Sequence, residues 1–171
     1  VVGTNFGMTG ATVSIGGVAC GSGEAYTTPH PAVEVVISGV SVSECVVTTM
    51  HTVVKCVVGV GAGGKKDVVV CVAGQNSSTL LAGFSYMNPS VTSVSTVGTE
   101  GGPVTIKGHN FGPRDAGVMI GGSNCRAVAH DISHPHGQLT CALPGGVGSG
   151  MDTIVSQSSQ QSPAGLGEFS Y

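Results

Sequence analysis

A glycine-rich stretch at residues 59–66 has the spacing of a loop that binds phosphate. It reads GVGAGGKK and fits Gly-x-x-x-x-Gly-Lys, in which backbone N–H groups and a lysine hold the phosphates of a nucleotide. Such a loop needs a strand before it, a helix after it and a Ser or Thr for Mg²⁺. Here Lys66 stands in place of the hydroxyl residue, and the run DVVVCVAGQ follows. Because β-branched residues disfavour the start of a helix, we predict a hairpin turn between two strands and no cofactor.

Histidines gather in the stretch HDISHPH, which contains His130, Asp131, His134 and His136. Imidazoles this close bind zinc or copper when the loop that carries them folds around the ion. The stretch also fits an exposed, irregular loop, and we favour this interpretation, which predicts no metal site. We also predict no catalytic residue and no enzyme activity, since the Gly-x-Ser-x-Gly motif is absent from the sequence and a nucleophile needs a neighbouring base.

Charge and cysteine content narrow the classes of partner and compartment. Only 9% of the residues are charged and the net charge is −3, so we expect no binding to nucleic acid. The six cysteines, an even number, favour disulfide bonds and therefore an extracellular or cell-surface location. No apolar stretch is long enough to insert into a membrane. The chain opens inside an apolar segment without Met, which we interpret as part of a longer, processed protein.

The sequence contains one sequon, Asn76-Ser77-Ser78. In a secreted protein this pattern accepts an N-linked glycan on an exposed turn or strand end. We therefore predict glycosylation at Asn76, with covalent glycans as partners; the alternative is a sequon that is not used.

Two copies of one unit follow each other along the chain. GTNFG at 3–7 returns as GHNFG at 108–112, VSIGGVAC at 13–20 as VMIGGSNC at 118–125, and FSY at 84–86 as FSY at 169–171. A shift of 85 residues also places the stretch GVGAGGKKD at 59–67 on PGGVGSGMD at 144–152, with Gly61 on Gly146, Gly63 on Gly148 and Asp67 on Asp152. The copies differ between their cysteines: Cys20 and Cys56 are 36 residues apart, whereas Cys125 and Cys141 are 16 apart. We infer a 20-residue insertion in the first copy, within residues 21–55.

Short β-branched runs bounded by Gly, Pro and Asn predict an all-β fold of small sandwiches. In the second copy we predict strands at residues 103–108, 116–122, 137–143 and 152–158. In the first copy we predict strands at residues 11–17, 52–58 and 67–74.

The ordered blocks resemble the IPT/TIG family, immunoglobulin-like domains that occur in plexins and some transcription factors. The second copy shows GTEGGPVTIKGHNFG, VMIGGSNC, LTCALPGGVGSG and EFSY in the family's order. The first copy departs from it in the insertion and in Val58-Gly59, where the pattern has Leu-Pro-Gly. The resemblance implies two tandem immunoglobulin-like β-sandwiches, at residues 1–86 and 87–171.

Aromatic residues and glycines of the repeated motifs are expected to have structural roles. An aromatic side chain between a tight turn and a strand can plug the end of a sandwich, and the glycine after it allows a positive φ. The tyrosines at the ends of the two copies lie on closing strands. The residues concerned are Phe6, Phe111, Gly7, Gly112, Tyr86 and Tyr171.

The resemblance also implies a set of disulfide bonds. Cys125 and Cys141 match the family's usual pair, and Cys20 and Cys56 are the matching positions of the first copy. We therefore expect the bonds Cys20–Cys56, Cys45–Cys71 and Cys125–Cys141. A rival pairing joins Cys45 to Cys56 and Cys20 to Cys71, because ECVVTTMHTVVKC also has the form of a family Cys–Cys span.

Three functions are compatible with such sandwiches. We favour an extracellular structural or adhesive protein, a segment of a long repeat array or of a glycosylated surface filament that self-associates or contacts neighbouring repeats. The alternative is the ligand-binding ectodomain of a cell-surface receptor, with the insertion as the binding loop. DNA binding, as in the family's transcription factors, does not fit the six Lys and Arg residues or the expected disulfides.

The first copy lacks a counterpart of the segment PSVTSVSTVGTEGGPVT that opens the second copy. A sandwich without an edge strand exposes unpaired N–H and C=O groups. We expect residues 1–6 to be covered by upstream residues of a longer chain or by a strand from a neighbouring subunit. Head-to-tail donation of that kind would propagate into a fibre.

Overall fold

The computed structural model describes residues 34–37, 40, 42–49, 52–72, 75–165 and 167–171. Over these residues the chain forms fifteen β-strands and no helix, so the predicted all-β class is confirmed. This described part accordingly contains no helix that could cross a membrane. The chain divides into two compact units, Val1–Val60 with Lys65–Ser85 and Gly61–Gly64 with Tyr86–Tyr171. The predictions for residues 1–6, for Gly7 and for the strand at 11–17 lie outside the described residues.

Six strands of the described chain belong to the first unit. They are β1 (Glu34–Ile37), β2 (Val42–Thr49), β3 (Val53–Val58), β4 (Lys66–Val72), β5 (Gln75–Asn76) and β6 (Leu80–Phe84). β2 pairs with β3, and β4 pairs with β1, β5 and β6, all antiparallel. Val35 and Ile37 of β1 and Val68 and Val70 of β4 are buried. Because side chains alternate between the two faces of a strand, β1 and β4 bury a common apolar face.

The described residues of the second unit form nine strands in two sheets. They are β7 (Ser90–Val94), β8 (Gly101–His109), β9 (Gly117–Ile120), β10 (Ser123–Asn124), β11 (Arg126–His130), β12 (Gln138–Pro144), β13 (Met151–Gln157), β14 (Gln160–Gln161) and β15 (Glu168–Phe169). One sheet has the order β11-β12-β8-β7. The other has the order β10-β9-β13-β14, with β15 also paired to β13. All of these pairs are antiparallel.

Both sheets of the second unit contribute to one buried apolar core. The strands supply alternate residues to it, as a sheet with one solvated face does. Phe111, in the loop after β8, is completely buried in the same cluster, and Gly112 has a φ of 75°. The predicted plug and the predicted positive φ are therefore confirmed for the second copy. The strand residues of the core include Val104, Ile106, Leu139, Leu143, Val118, Ile120, Val155 and Phe169.

The 85-residue repeat of the sequence is reproduced in the strands. β4 begins at Lys66 and β13 at Met151, and β5 begins at Gln75 and β14 at Gln160; both pairs are 85 residues apart. Hydrogen bonds repeat with the same shift. Ser77 N–H donates to Val70 O and Ser77 Oγ accepts from Val70 N–H, and Ser162 makes the same two bonds with Val155.

The glycine stretch between β3 and β4 is not a hairpin, so that part of the prediction was wrong. β3 pairs with β2, whereas β4 pairs with β1, β5 and β6. The equivalent stretch between β12 and β13 likewise connects strands of different sheets. The sequence predicted both flanking strands correctly. However, two adjacent β-branched runs have the same sequence pattern whether the two strands pair with each other or belong to different sheets.

We predict that Phe111→Ala strongly destabilises the second unit. Removing a fully buried phenylalanine costs about 3–5 kcal/mol, because transfer free energy is lost and a cavity remains. Ile132→Ala is the matched control, since Ile132 is 99% exposed. Urea unfolding of both variants measures the difference. A loss below about 1 kcal/mol for Phe111→Ala would contradict the plug.

Candidate functional site

The glycine stretch that resembles a phosphate loop is engaged in contacts with Tyr86. Tyr86 N–H donates to Gly63 O at 3.0 Å, and a methyl group added at Gly61 would lie only 2.5 Å from the Tyr86 hydroxyl oxygen. Gly63 is buried with a φ of 93°. Burial also raises the pKa of the Tyr86 hydroxyl. Gly61 therefore provides room for the tyrosine ring.

The same contacts recur 85 residues later. Tyr171 N–H donates to Gly148 O at 3.0 Å, and a methyl group at Gly146 would lie 2.6 Å from the Tyr171 ring. The Tyr171 hydroxyl donates to Pro144 O at 2.7 Å, and its ring meets Phe169 edge to face at 5.0 Å. Because the glycine stretch of the second copy makes these contacts and contains no lysine, the glycines serve the tyrosine rather than a phosphate.

The histidine stretch folds into a loop closed on Asp131. One carboxylate oxygen, Oδ1, accepts hydrogen bonds from Ser133 N–H at 3.0 Å and His134 N–H at 2.8 Å, and lies 3.2 Å from His134 Nδ1. The backbone hydrogen bond from His134 is the largest cause that lowers the pKa of Asp131. The carboxylate thus organises its own loop, as Asx turns do.

His130 connects this loop to the segment before β9. Its Nδ1 lies 2.7 Å from Pro135 O, and Ala116 N–H donates to its Nε2 at 3.3 Å. The ring is therefore protonated on Nδ1, because a carbonyl oxygen can only accept and the Nε2 atom must accept. Both ring nitrogens are occupied, so His130 holds the fold and offers no atom to a metal.

A shallow, open concavity of about 400 Å³ lies beside the loop. His109, Asn110, His134 and His136 line it. Among the residues that the structure describes, no group of three or more His, Cys, Asp or Glu side chains is arranged to hold a metal ion. The concavity therefore gives no support to the zinc or copper interpretation.

Asn76, the glycosylation candidate, lies in the short strand β5 and is exposed. Ser77 Oγ accepts from Val70 N–H and donates to Ser78 O at 2.9 Å. Ser77 therefore anchors the sequon to β4, and Ser78, the sequon's hydroxyl residue, is exposed. An exposed asparagine at the end of a hairpin is accessible to a glycosyltransferase, so glycosylation at Asn76 stays a prediction.

Among the described residues two disulfide bonds are present, and one of them corrects the expected pairing. Cys125 bonds to Cys141, as expected. Cys45 bonds to Cys56, with Cα atoms 4.0 Å apart. The expected bonds Cys20–Cys56 and Cys45–Cys71 are therefore wrong, since Cys45 and Cys56 are bonded to each other. Cys71 is buried in β4, and Cys20 lies outside the described residues.

Strand pairing explains the correction. β2 and β3 are antiparallel neighbours, with Ser43 opposite Val57 and Val46 opposite Lys55, so Cys45 and Cys56 face each other across the pair. Strand β11 begins directly after Cys125, and strand β12 contains Cys141. These two strands form the equivalent antiparallel pair. The two spans are 11 and 16 residues. The insertion expected in the first copy, within residues 21–55, stays a prediction.

Sequence reasoning missed residues that hold the segment 86–88 in the second unit. Gln160 Nε2 donates to Tyr86 O at 2.8 Å and to Asn88 Oδ1 at 2.9 Å. Asn110 Nδ2 donates to Asn88 O at 3.2 Å. Asn110 belongs to the repeated GHNFG motif, so its motif position was a usable signal. Gln160 had no such signal, because the contact depends on the turn after β13.

The second unit has the architecture of a disulfide-bonded, immunoglobulin-like β-sandwich. Residues 89–171 match the family model described as the IPT/TIG domain. The chain therefore carries an IPT/TIG domain at these residues. No curated protein matches the chain. Among solved structures it is similar to the plexin A4 full extracellular region (domains 1 to 8), with 23% sequence identity and a TM-score of 0.43. That match covers 80% of this chain and 14% of the plexin chain.

We predict that Cys20 is bonded to Cys71 in the oxidised protein. The bonds Cys45–Cys56 and Cys125–Cys141, both between described residues, use four of the six cysteines, and an oxidising compartment favours a bond between Cys20 and Cys71. Peptide mapping without reduction should give linked peptides for Cys20 with Cys71 and for Cys45 with Cys56. A peptide that links Cys20 to Cys56, or thiol alkylation of Cys20 without reduction, would contradict this pairing.

We predict a pH-dependent effect of Asp131→Asn on the closed loop. The folded protein lowers the pKa of Asp131, so its ionised form adds stability above the unfolded pKa and loses that contribution as pH falls through the folded pKa. The variant should therefore melt below the natural chain at neutral pH and match it once the carboxyl group is protonated in both states. Glu100→Gln, an exposed residue outside the loop, removes the same charge and is the control. Equal shifts for both variants at every pH would contradict the assignment.

Proposed function

We propose that the chain is a segment of an extracellular, non-enzymatic array of IPT/TIG sandwiches with a structural or adhesive function. The observation that carries the proposal is the repetition of strands, hydrogen bonds and tyrosine contacts at a spacing of 85 residues. On this basis the first unit is a second, modified IPT/TIG domain with additional residues before Cys45. Units of one type in series act as spacers and repeat the same surfaces along their length.

The disulfides support an extracellular location. Cys45–Cys56 and Cys125–Cys141 each staple a neighbouring pair of strands in one unit. Such bonds persist in oxidising compartments and are rare in the cytosol. Each bond restricts the unfolded chain and stabilises its small sandwich by about 2–4 kcal/mol.

The residues whose types could do chemistry make structural contacts, and this supports a structural function. Both nitrogens of His130 are hydrogen-bonded, the Asp131 carboxylate closes its own loop, and the glycine stretch contacts Tyr86. These groups fix turns and cross-connections. A structural function uses them as they are arranged here, whereas catalysis would need them aimed together at one substrate.

Solution assembly distinguishes the array or filament from the receptor alternative. We expect the oxidised chain to form linear oligomers as its concentration rises, visible as fibres in negatively stained micrographs and as growing mass by light scattering. Reduced protein should lose this assembly together with its fold, and serves as the control. A strictly monomeric chain at all concentrations would favour the ligand-binding ectodomain of a receptor.

We predict that Asn76 is glycosylated when the protein is secreted from a eukaryotic cell. Ser78→Ala removes the hydroxyl residue of the sequon and should abolish the glycan, because the acceptor needs Ser or Thr at that position. Thr79→Ala is the matched control, since it removes a neighbouring exposed hydroxyl group and keeps the sequon. Intact mass before and after enzymatic deglycosylation measures both. An unchanged mass of the natural chain after deglycosylation would remove the prediction.

A further inference from the structure

The four residues Gly61–Gly64, here called the first turn, are packed within the second unit. A methyl group added at Gly63 would lie 2.8 Å from the Ser158 Cβ, and one added at Gly112 would lie 3.0 Å from the Ala62 Cβ. Gly112 and Ser158, together with Gln160, form what we call the turn-binding surface. Gln160 completes it by holding the backbone oxygen of Tyr86.

Residues 146–149, here called the second turn, have the same internal geometry as the first. Gly146 lies under Tyr171 as Gly61 lies under Tyr86, and Gly148 O accepts from Tyr171 N–H as Gly63 O accepts from Tyr86 N–H. The shift is again 85 residues, so Val147 takes the position of Ala62.

The two turns differ in their exposure. Gly63 is buried and Ala62 is half-buried, whereas Gly148 is exposed and the Val147 side chain is 76% exposed. Burial of the exposed Val147 side chain away from water would be favourable in free energy. The first turn shows which surface covers such a turn: one that has a glycine at the close approach, a small residue beside it and a glutamine to hold the tyrosine carbonyl.

We propose that the second turn and Tyr171 are the docking surface for a further IPT/TIG unit joined directly after Tyr171. That unit would present its own turn-binding surface, with a glycine, a serine and a glutamine in the places of Gly112, Ser158 and Gln160. The Gly would accommodate Val147, the Ser would cover Gly148, and the glutamine would bind the backbone oxygen of Tyr171. The inference rests on the proposed function, since it requires units in series.

The test uses the natural chain and an extended chain that carries a second copy of residues 87–171 directly after Tyr171. The appended copy then follows Tyr171 with the same residues that follow Tyr86, and it brings the complete turn-binding surface. Hydrogen exchange followed by mass spectrometry reports on residues 145–150. We expect these amides to exchange at least about tenfold more slowly in the extended chain, because docking covers the second turn.

Two aspartate variants control for the specific contact. Val147→Asp should remove the added protection in the extended chain, since a charge would then be buried at the docking surface. The same variant in the natural chain should leave the melting temperature unchanged, because Val147 is exposed there. Ile132→Asp, at a 99% exposed site in another loop, should leave the added protection intact.

The outcomes separate this inference from the proposed function. Unchanged exchange at residues 145–150 in the extended chain, while the natural chain still forms fibres, would overturn the docking surface and leave the array intact. Unchanged exchange together with a strictly monomeric natural chain would overturn both. Protection of residues 145–150 that rises with protein concentration in the natural chain would show that the second turn makes contacts between copies of the chain. That result would also overturn the docking of an appended unit.

Discussion

The chain of the second unit must cross from one sheet to the other between β12 and β13, and the contact of Tyr171 with Gly146 fixes that crossing. The ring occupies the space that a side chain at residue 146 would need. Its hydroxyl donates to Pro144 O at the end of β12, and its N–H donates to Gly148 O within the crossing. The last residue of the unit therefore ties down the crossing. Phe169, buried in the core, contacts the same ring, so the crossing and the core depend on each other.

The strands that the sequence predicted well are those whose burial alternates. In β12, Leu139, Cys141 and Leu143 are buried and the residues between them are exposed or half-buried, which is the pattern that period-two hydrophobicity reveals. The roles of Phe111 and Gly112 were also predictable, because a motif that recurs at fixed spacing has the same geometrical requirements in each copy. The strand β2 was not predicted, because its sequence VSECVVTT does not alternate regularly between apolar and polar residues.

The same sequence patterns did not show which cysteines bond to each other, which strands pair, or which groups contact the histidines. Cys56 had two candidate partners in the sequence, and the pairing of β2 with β3 selects Cys45. The glycine stretch between two strands looked like a hairpin because sequence adjacency does not show which sheet a strand joins. For the histidine loop, the choice between metal ligand and structural residue depended on where Pro135 O and Ala116 N lie relative to His130. These are positions in space that no local spacing encodes.

Within the described part of the first unit, strand β6 presents exposed leucine side chains. Leu80 and Leu81 of β6 are 58% and 74% exposed, and an exposed apolar edge strand invites pairing with another chain. Proteins often block such edges with charges, but only 9% of this chain is charged. β5 and β6 pair with the same side of β4, opposite β1, so Asn76 lies on the same edge as the two leucines. If Asn76 carries the predicted glycan, the glycan would extend from that edge and hinder an approaching strand by its bulk, as charges do in other proteins.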